Sequence, residues 1–351
     1  MSSRHEQADD GLRYPFEGAP EPGGAIEVAD GVHWIRMPLP FPPGHINLWL
    51  LEDDDGWTIV DSGLQLTELR RLWEQIFKGV MGGRPAKRMI ITHMHPDHLG
   101  LAGWLSVRLR VPLWMTRLEY LVGRSLVLDE WDEMPWEILE FFVRAGFSDQ
   151  ELAAIQRSGY GRFKDDMVSP PSAYRPIRDG EIITIGGREW QVVVGRGHSP
   201  EQATLYCPEL SVLISGDQVL PRITPNVSVF AAEPEANPLQ AWFNSLRRYK
   251  DLDEDVLVLP SHNEPFFGLH NRVDGIIASH EARLERLLDW CAKPMTAREV
   301  SLRLFGDRGL GLQNLLALGE AIAHLHYLRG KGRLIAEDDA NKVRRFRTVA
   351  V

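Results

Sequence analysis

Cysteine is nearly missing from this chain: Cys207 and Cys291 are the only two among 351 residues, and they lie far apart. That scarcity excludes a disulfide-stapled scaffold and fits a reducing, cytoplasmic compartment. Long apolar runs are missing as well. No uninterrupted span approaches the ~20 residues that a membrane helix needs, so no membrane partner is expected. The first residues, Met1 to Gly24, are polar, charged and rich in glycine and proline. They lack the apolar stretch of a secretory signal and predict a flexible lead-in. Excess positive charge is also lacking: 39 Lys and Arg face 49 Asp and Glu, for a formal net charge of -10. Such a chain repels nucleic acid unless a basic patch is well segregated.

What is present is core-forming material. Hydrophobic residues make up 44% of the chain, enough for a large interior. The length exceeds one ordinary domain, which predicts two domains or one decorated domain. Strand-like runs cover Gly31 to Met37, His45 to Glu52 and Trp57 to Asp61. Later ones cover Glu181 to Ile185, Trp190 to Val194, Thr204 to Cys207 and Val212 to Ser215. Leu66 to Phe77 and Leu99 to Leu109 have helical spacing. Strands and helices in this order predict an α+β protein, an αββα sandwich of two sheets with helices outside.

Thr92-His93-Met94-His95-Pro96-Asp97-His98 carries the strongest chemical signal. It follows Met89-Ile90-Ile91, a short buried strand, so the cluster sits in the loop at a strand end. Residues i and i+2 of an extended segment point the same way, which lets His93 and His95 share one metal ion. Pro96 turns the chain, and Asp97 and His98 can then face a second ion. Neutral imidazoles with carboxylates suit zinc and similar divalent metals.

Four more strand-like runs end in candidate residues. Ile59-Val60-Asp61-Ser62-Gly63 ends at Asp61. Trp190 to Val194 is followed by Gly195-Arg196-Gly197-His198. Ser211 to Ser215 leads into Gly216-Asp217, and Val256 to Pro260 into Ser261-His262. With the H-x-H-x-D-H loop, this series resembles the metallo-β-lactamase superfamily over roughly residues 30 to 285. The resemblance implies two divalent metal ions, zinc foremost, with iron or manganese as alternatives. It implies His93, His95 and His198 on one ion, Asp97, His98 and His262 on the other, and Asp217 between them. A bridging hydroxide would be the nucleophile, with Asp97 orienting it and carrying its proton. Asp61 is expected to hold a ligand histidine from behind. No cysteine stands at a ligand position.

His324 and His326 repeat the H-x-H spelling but lie in a helical stretch, where i and i+2 diverge by ~200°; they are expected to be structural. His45 can line the cleft, although nothing requires it. Leu220-Pro221-Arg222-Ile223-Thr224-Pro225-Asn226 follows Asp217, and Arg222 and Asn226 are candidate substrate contacts. Between Met115 and Pro176 the strand pattern stops. Trp131, Trp136, Phe141, Phe142 and Phe147 there suggest a helical insertion, either a lid or helices glued to the sandwich.

A catalytic domain over 25–290 and a winged-helix-like domain over 291–351 are expected. The latter rests on a capping box at Thr296 and Glu299, a helix over Gln313 to Leu328, and a hairpin of Leu334 to Glu337 with Val343 to Thr348. The hairpin's Lys331, Arg333, Lys342, Arg344, Arg345 and Arg347 could meet phosphate, but packing on the sandwich or a homodimer surface is favoured. The implied activity is hydrolysis of a small acyl substrate: a thioester, as in the glyoxalase II or β-lactamase-like protein 2 type branch, or an ester or lactone. Phosphodiester cleavage of RNA is the alternative. β-Lactam hydrolysis and a non-catalytic metal-binding role rank lower.

Overall fold

Alternation builds the first sheet. In β3 (His45–Asp53), Ile46, Leu48 and Leu50 join one apolar cluster while Trp49 and Leu51 join another, as successive side chains on a strand must. β1 (Ile26–Ala29), β2 (Val32–Pro38), β3 and β4 (Gly56–Val60) pair antiparallel in chain order. β5 (Ala86–Ile90), β6 (Leu113–Thr116) and β7 (Tyr174–Ile177) then add in parallel, completing a seven-stranded sheet. Parallel neighbours need crossovers. α1 (Thr67–Lys78) supplies the first, and α2 (Pro96–Leu99) with α3 (Ala102–Leu109) the second. The structure is a computed structural model and describes residues 11–129, 133–158, 165–307, 309 and 311–349.

β8 (Ile182–Ile185), β9 (Arg188–Gly195), β10 (Gln202–Cys207) and β11 (Val212–Gly216) form an antiparallel run, and β12 (Leu257–Pro260) pairs parallel with β11. The five strands lie in the order β12-β11-β10-β9-β8. Trp34, Trp49, Val60 and Ile90 of the first sheet share a core with Trp190, Val192, Leu205 and Ile214 of the second. Trp34 and Trp49 stack at its centre. The opposite face of the first sheet packs on Leu69, Trp73 and Ile76 of α1 and Leu105 of α3. On the second sheet, Thr204 turns away from the shared core and meets the Tyr249 hydroxyl at 3.2 Å. The αββα arrangement expected from the sequence is thus present.

Contacts divide the chain into two units. One takes the described residues of Met1–Leu128, Arg162–Pro225 and Leu246–Gly275, and holds both large sheets. The other takes those of Asp129–Gly161, Asn226–Ser245 and Ile276–Val351. It contains β13 (Met295–Thr296), α9 (Ala297–Phe305), α10 (Leu312–Gly330), β14 (Leu334–Asp338) and β15 (Arg344–Thr348). The capping box at Thr296 and Glu299 is present, and the hairpin strands pair as expected, with β13 joining on the β15 side. α7 (Pro238–Arg248) and α8 (Leu269–Trp290) each run across a unit boundary along the chain. The second unit thus also gathers segments from earlier in the sequence.

Residues 11–24 were expected to belong to a flexible lead-in, yet Arg13 forms a two-bond bridge with Phe267 and stacks on its ring. Phe16 packs near Trp34. Local polarity did not reveal this long-range pairing. The segment between Met115 and Pro176 is helical, with α4 (Arg117–Leu128), α5 (Trp136–Ala145) and α6 (Asp149–Ser158). Phe142 and Phe147, however, are buried inside the second unit, where Arg298 stacks on Phe147. These two rings glue helices together, while Trp136 is exposed. Trp131 lies outside the described residues.

Candidate metal centre

Every candidate ligand leaves the C-terminal end of a strand in the first unit. β5 delivers His93, His95, Asp97 and His98; β9 delivers His198, β11 Asp217 and β12 His262. The pairing of β11 with β12 in parallel brings Asp217 and His262 to the same sheet end. Three overlapping groups of donor atoms result: His93, His95 and His198; Asp97, His98 and His262; and His93, His98 and Asp217. Within each group all donor atoms lie within 4.8 Å of one another. His93 Nε2 is 2.9 Å from His95 Nδ1 and 3.3 Å from His198 Nε2. Asp97 Oδ2 is 3.3 Å from His262 Nε2. Asp217 reaches both sides, with Oδ2 3.4 Å from His198 Nε2 and 3.5 Å from His262 Nε2.

The donor set fits divalent cations. His98 Nε2 and Asp217 Oδ1 are buried without a hydrogen-bond partner, although they lie 3.5 Å apart. Buried polar atoms are normally satisfied, and a cation between these two would satisfy both. Burial, followed by the neighbouring imidazoles, holds His95 down at about 3 and His93 well below its usual value. Both therefore present lone pairs. Burial opposes charge on His262 and His98, yet Asp217 and Asp97 raise His262 to about 10. Asp97, Asp61 and Asp217 likewise push His98 well above its usual value. The carboxylates thus create a demand for positive charge at this spot. Burial works against ionisation of Asp97 too, but His98 and His262 hold it at about 2.

Supporting residues fix the rings. Asp61 Oδ2 accepts from His98 Nδ1 at 2.8 Å and from the Thr92 hydroxyl at 2.9 Å, while Oδ1 accepts from the Thr92 backbone N–H. Such a bond sets ring orientation and leaves the other nitrogen for a metal. The Ser62 hydroxyl donates to the His98 carbonyl and accepts from the Leu101 backbone N–H. His262 Nδ1 meets the His45 carbonyl at 2.9 Å, and His45 Nε2 accepts from the Asn263 backbone N–H. His45 is thus a fixture of the His262 turn, together with Arg36 and Asn47, which bond the Asn263 carbonyl. Burial, then Arg36 and His262, lowers His45 to about 4.

Sequence reasoning missed Glu119. Its carboxylate is fully buried in the first turn of α4 and accepts three hydrogen bonds from the loops that carry candidate ligands. No spacing marks it among the chain's other acidic residues. Arg222 and Asn226, the expected substrate contacts, part company. Arg222 is exposed, pairs with Glu264 at 3.0 Å and stacks on Tyr14. Asn226 groups with the second unit, where its amide donates to the Leu316 carbonyl and to Glu320. These bonds tie it to packing within that unit. His324 and His326 diverge as expected: His324 meets His280 at 2.9 Å, and His326 bonds the Ala236 carbonyl. His280, Glu320 and His324 also lie close enough to share a cation. Their histidines already pair with each other, and Glu320 is already engaged by Arg283 and Asn226.

The model of the metallo-beta-lactamase superfamily matches residues 41–262, and that of the metallo-beta-lactamase-like C-terminal domain matches residues 284–349. The chain belongs to the metallo-β-lactamase superfamily, and it is a metal-dependent hydrolase of that superfamily. Among its relatives is a beta-lactamase domain protein from Burkholderia ambifaria, solved by crystallography. That protein is 44% identical at a TM-score of 0.88, over 97% of this chain and 98% of that one. The probable metallo-hydrolase YqjP of Bacillus subtilis is 26% identical over 317 residues, which cover 88% of this chain and 95% of the relative. The human acyl-coenzyme A thioesterase MBLAC2 is 26% identical over 203 residues, or 55% of this chain and 64% of that protein.

Proposed function

We propose that this chain hydrolyses acyl thioesters, with zinc as the metal in both positions. The carrying observation is the pair of three-residue donor groups with Asp217 reaching both. One group would be His93, His95 and His198, the other Asp97, His98 and His262. Paired ions of this kind polarise a carbonyl and lower the pKa of water towards ~7. Asp97 would hold and move a proton, a role supported by the closeness of its Oδ2 to His262 and by its lowered pKa. Asp61 fixes His98, and His45 fixes His262, so the donors are oriented before a substrate arrives.

Acyl chemistry is favoured over phosphodiester chemistry by two lines of support. One is similarity to an acyl-coenzyme A thioesterase over about half of this chain. The other is that four of the hairpin's six cations have acidic partners. Arg344 pairs with Asp338 and Glu235, Arg345 with Asp339 and Glu299, Lys342 with Glu140, and Arg333 with Glu285. Charges already paired have less to offer a phosphate backbone. Arg222 is the substrate contact we retain, because it is exposed and its partner Glu264 lies two residues past His262.

The test is a panel assay of zinc-loaded protein on acyl-coenzyme A thioesters, simple esters, lactones and single-stranded RNA. A chelated sample and Asp97→Ala serve as controls. Thioester turnover sensitive to both controls supports the proposal. RNA cleavage sensitive to both, with thioesters untouched, would replace it with a nuclease.

A further inference from the structure

Building on the two-ion reading, we infer that Glu119 is a positioning residue for one half of the centre: it fastens the loops that carry His93, His95 and His198 to helix α4. Glu119 Oε2 accepts from the Met94 backbone N–H at 2.9 Å, and Met94 stands between His93 and His95. Its Oε1 accepts from the Ser199 hydroxyl at 2.7 Å and from the Glu201 backbone N–H at 2.6 Å, just after His198. Both oxygens are therefore committed, one to each loop. The side chain is wholly buried, so no water can replace these bonds without rearrangement, and charge-assisted bonds of this kind are among the stronger ones.

The docking of α4 is reciprocal. The Thr116 hydroxyl donates to the Glu201 carbonyl at 2.7 Å, immediately before the helix. Gly123, one turn on, faces the same loop. A Cβ built there would lie 3.2 Å from Met94 Cβ and 2.6 Å from Leu99 Cδ2. The absence of a side chain at Gly123 thus lets the helix approach the loop closely. The other half of the centre relies on different supports. Asp61 holds His98, and the His45 carbonyl holds His262; neither bond involves Glu119.

This division makes the effect one-sided. Supporting residues of metal ligands typically contribute about 10–100-fold to metal affinity. Glu119→Gln keeps the shape but sets an amide NH2 against a donor in either orientation. Wild type, Glu119→Gln and Ser199→Ala are stripped, reloaded with zinc, dialysed against a weak chelator and counted for metal. The inference expects wild type to keep two ions per chain and Glu119→Gln to keep one. Ser199→Ala, which loses a single bond, should show a smaller weakening of the same ion. Hydrogen exchange on the metal-free proteins supplies an independent reading. The Met94 and Glu201 amides should exchange faster in Glu119→Gln, while the Thr92 amide, held by Asp61, stays protected. Retention of both ions at wild-type affinity would overturn the inference, as would parallel loss of both ions with Thr92 deprotected. If wild type binds no ion pair, the parent reading fails, and the amide exchange still decides whether Glu119 holds the loops.

Discussion

Asp61 accepts a hydrogen bond from His98 Nδ1 at 2.8 Å across 37 positions of sequence, and it does so from a left-handed backbone with φ of 63°. Few non-glycine residues adopt that conformation. Here it accompanies a carboxylate aimed at Thr92 and His98 together. Asp61→Asn should keep the size but place an amide N–H against one of these donors. Zinc affinity should fall about 10–100-fold, with the far-ultraviolet circular dichroism spectrum unchanged. Competition with a chromophoric chelator measures it, and wild-type affinity would count against the assigned role.

Removing metal should soften the first unit. Ligands that bind only the folded state stabilise it by about 2.7 kcal/mol at a hundredfold excess over Kd. Chelation should lower the melting temperature by several degrees, and added zinc should restore it. Asp217→Ala, which removes the residue reaching both donor groups, should abolish that response along with activity. Differential scanning calorimetry with and without chelator decides this.

The capping box offers a test confined to the second unit. Thr296 accepts from the Glu299 backbone N–H, and Glu299 answers at the Thr296 backbone N–H. Thr296→Ala should cost about 1 kcal/mol and leave zinc content unchanged. Denaturant titration of the variant provides the number, and a change in metal content would contradict the separation of roles.

Acid should destabilise the second unit through a buried histidine pair. Burial, then His324 and Arg283, lowers His280 to about 2; burial, opposed by the Glu320 carbonyl, lowers His324 to about 4. Both pKa values are depressed from 6.5, so the unfolded chain binds more protons than the folded one below that pH. Stability from the neutral pair is present above pH 6.5 and declines as the pH falls, through about 4 for His324 and on towards about 2 for His280. His324→Gln should flatten that slope relative to wild type, with Arg283 and Glu320 still facing the site. Equilibrium unfolding between pH 7.5 and 4.5 would show it, and parallel slopes would remove the pair as the cause.

The metal loop was legible because its chemistry is local. His93, His95, Asp97 and His98 stand within six positions, and the strand before them fixes their direction. His198, Asp217 and His262 were legible as apolar runs ending in a ligand type, since strand ends converge on one edge. Glu119 was not, because its meaning depends on two loops that fold onto α4 from either side of it in sequence. The surroundings of Asn226, Phe142 and Phe147 were not legible for a related reason. Polar or aromatic composition shows what a segment can bind, but not which surface reaches it first. The anchored stretch around Arg13 shows the same limit, as its partner Phe267 lies at the far side of the chain.

The crossover of β12 beside β11 has a consequence for biosynthesis. A nascent chain that has emerged through His198 holds four of the candidate imidazole ligands and Asp97, but neither Asp217 nor His262. Those two arrive only when the second sheet gains its last strands. Pairings of such long sequence separation form slowly, and metal uptake is linked to folding. The candidate donor groups that include Asp217 and His262 therefore come together late, after most of the chain has been made, whereas His93, His95 and His198 are present earlier.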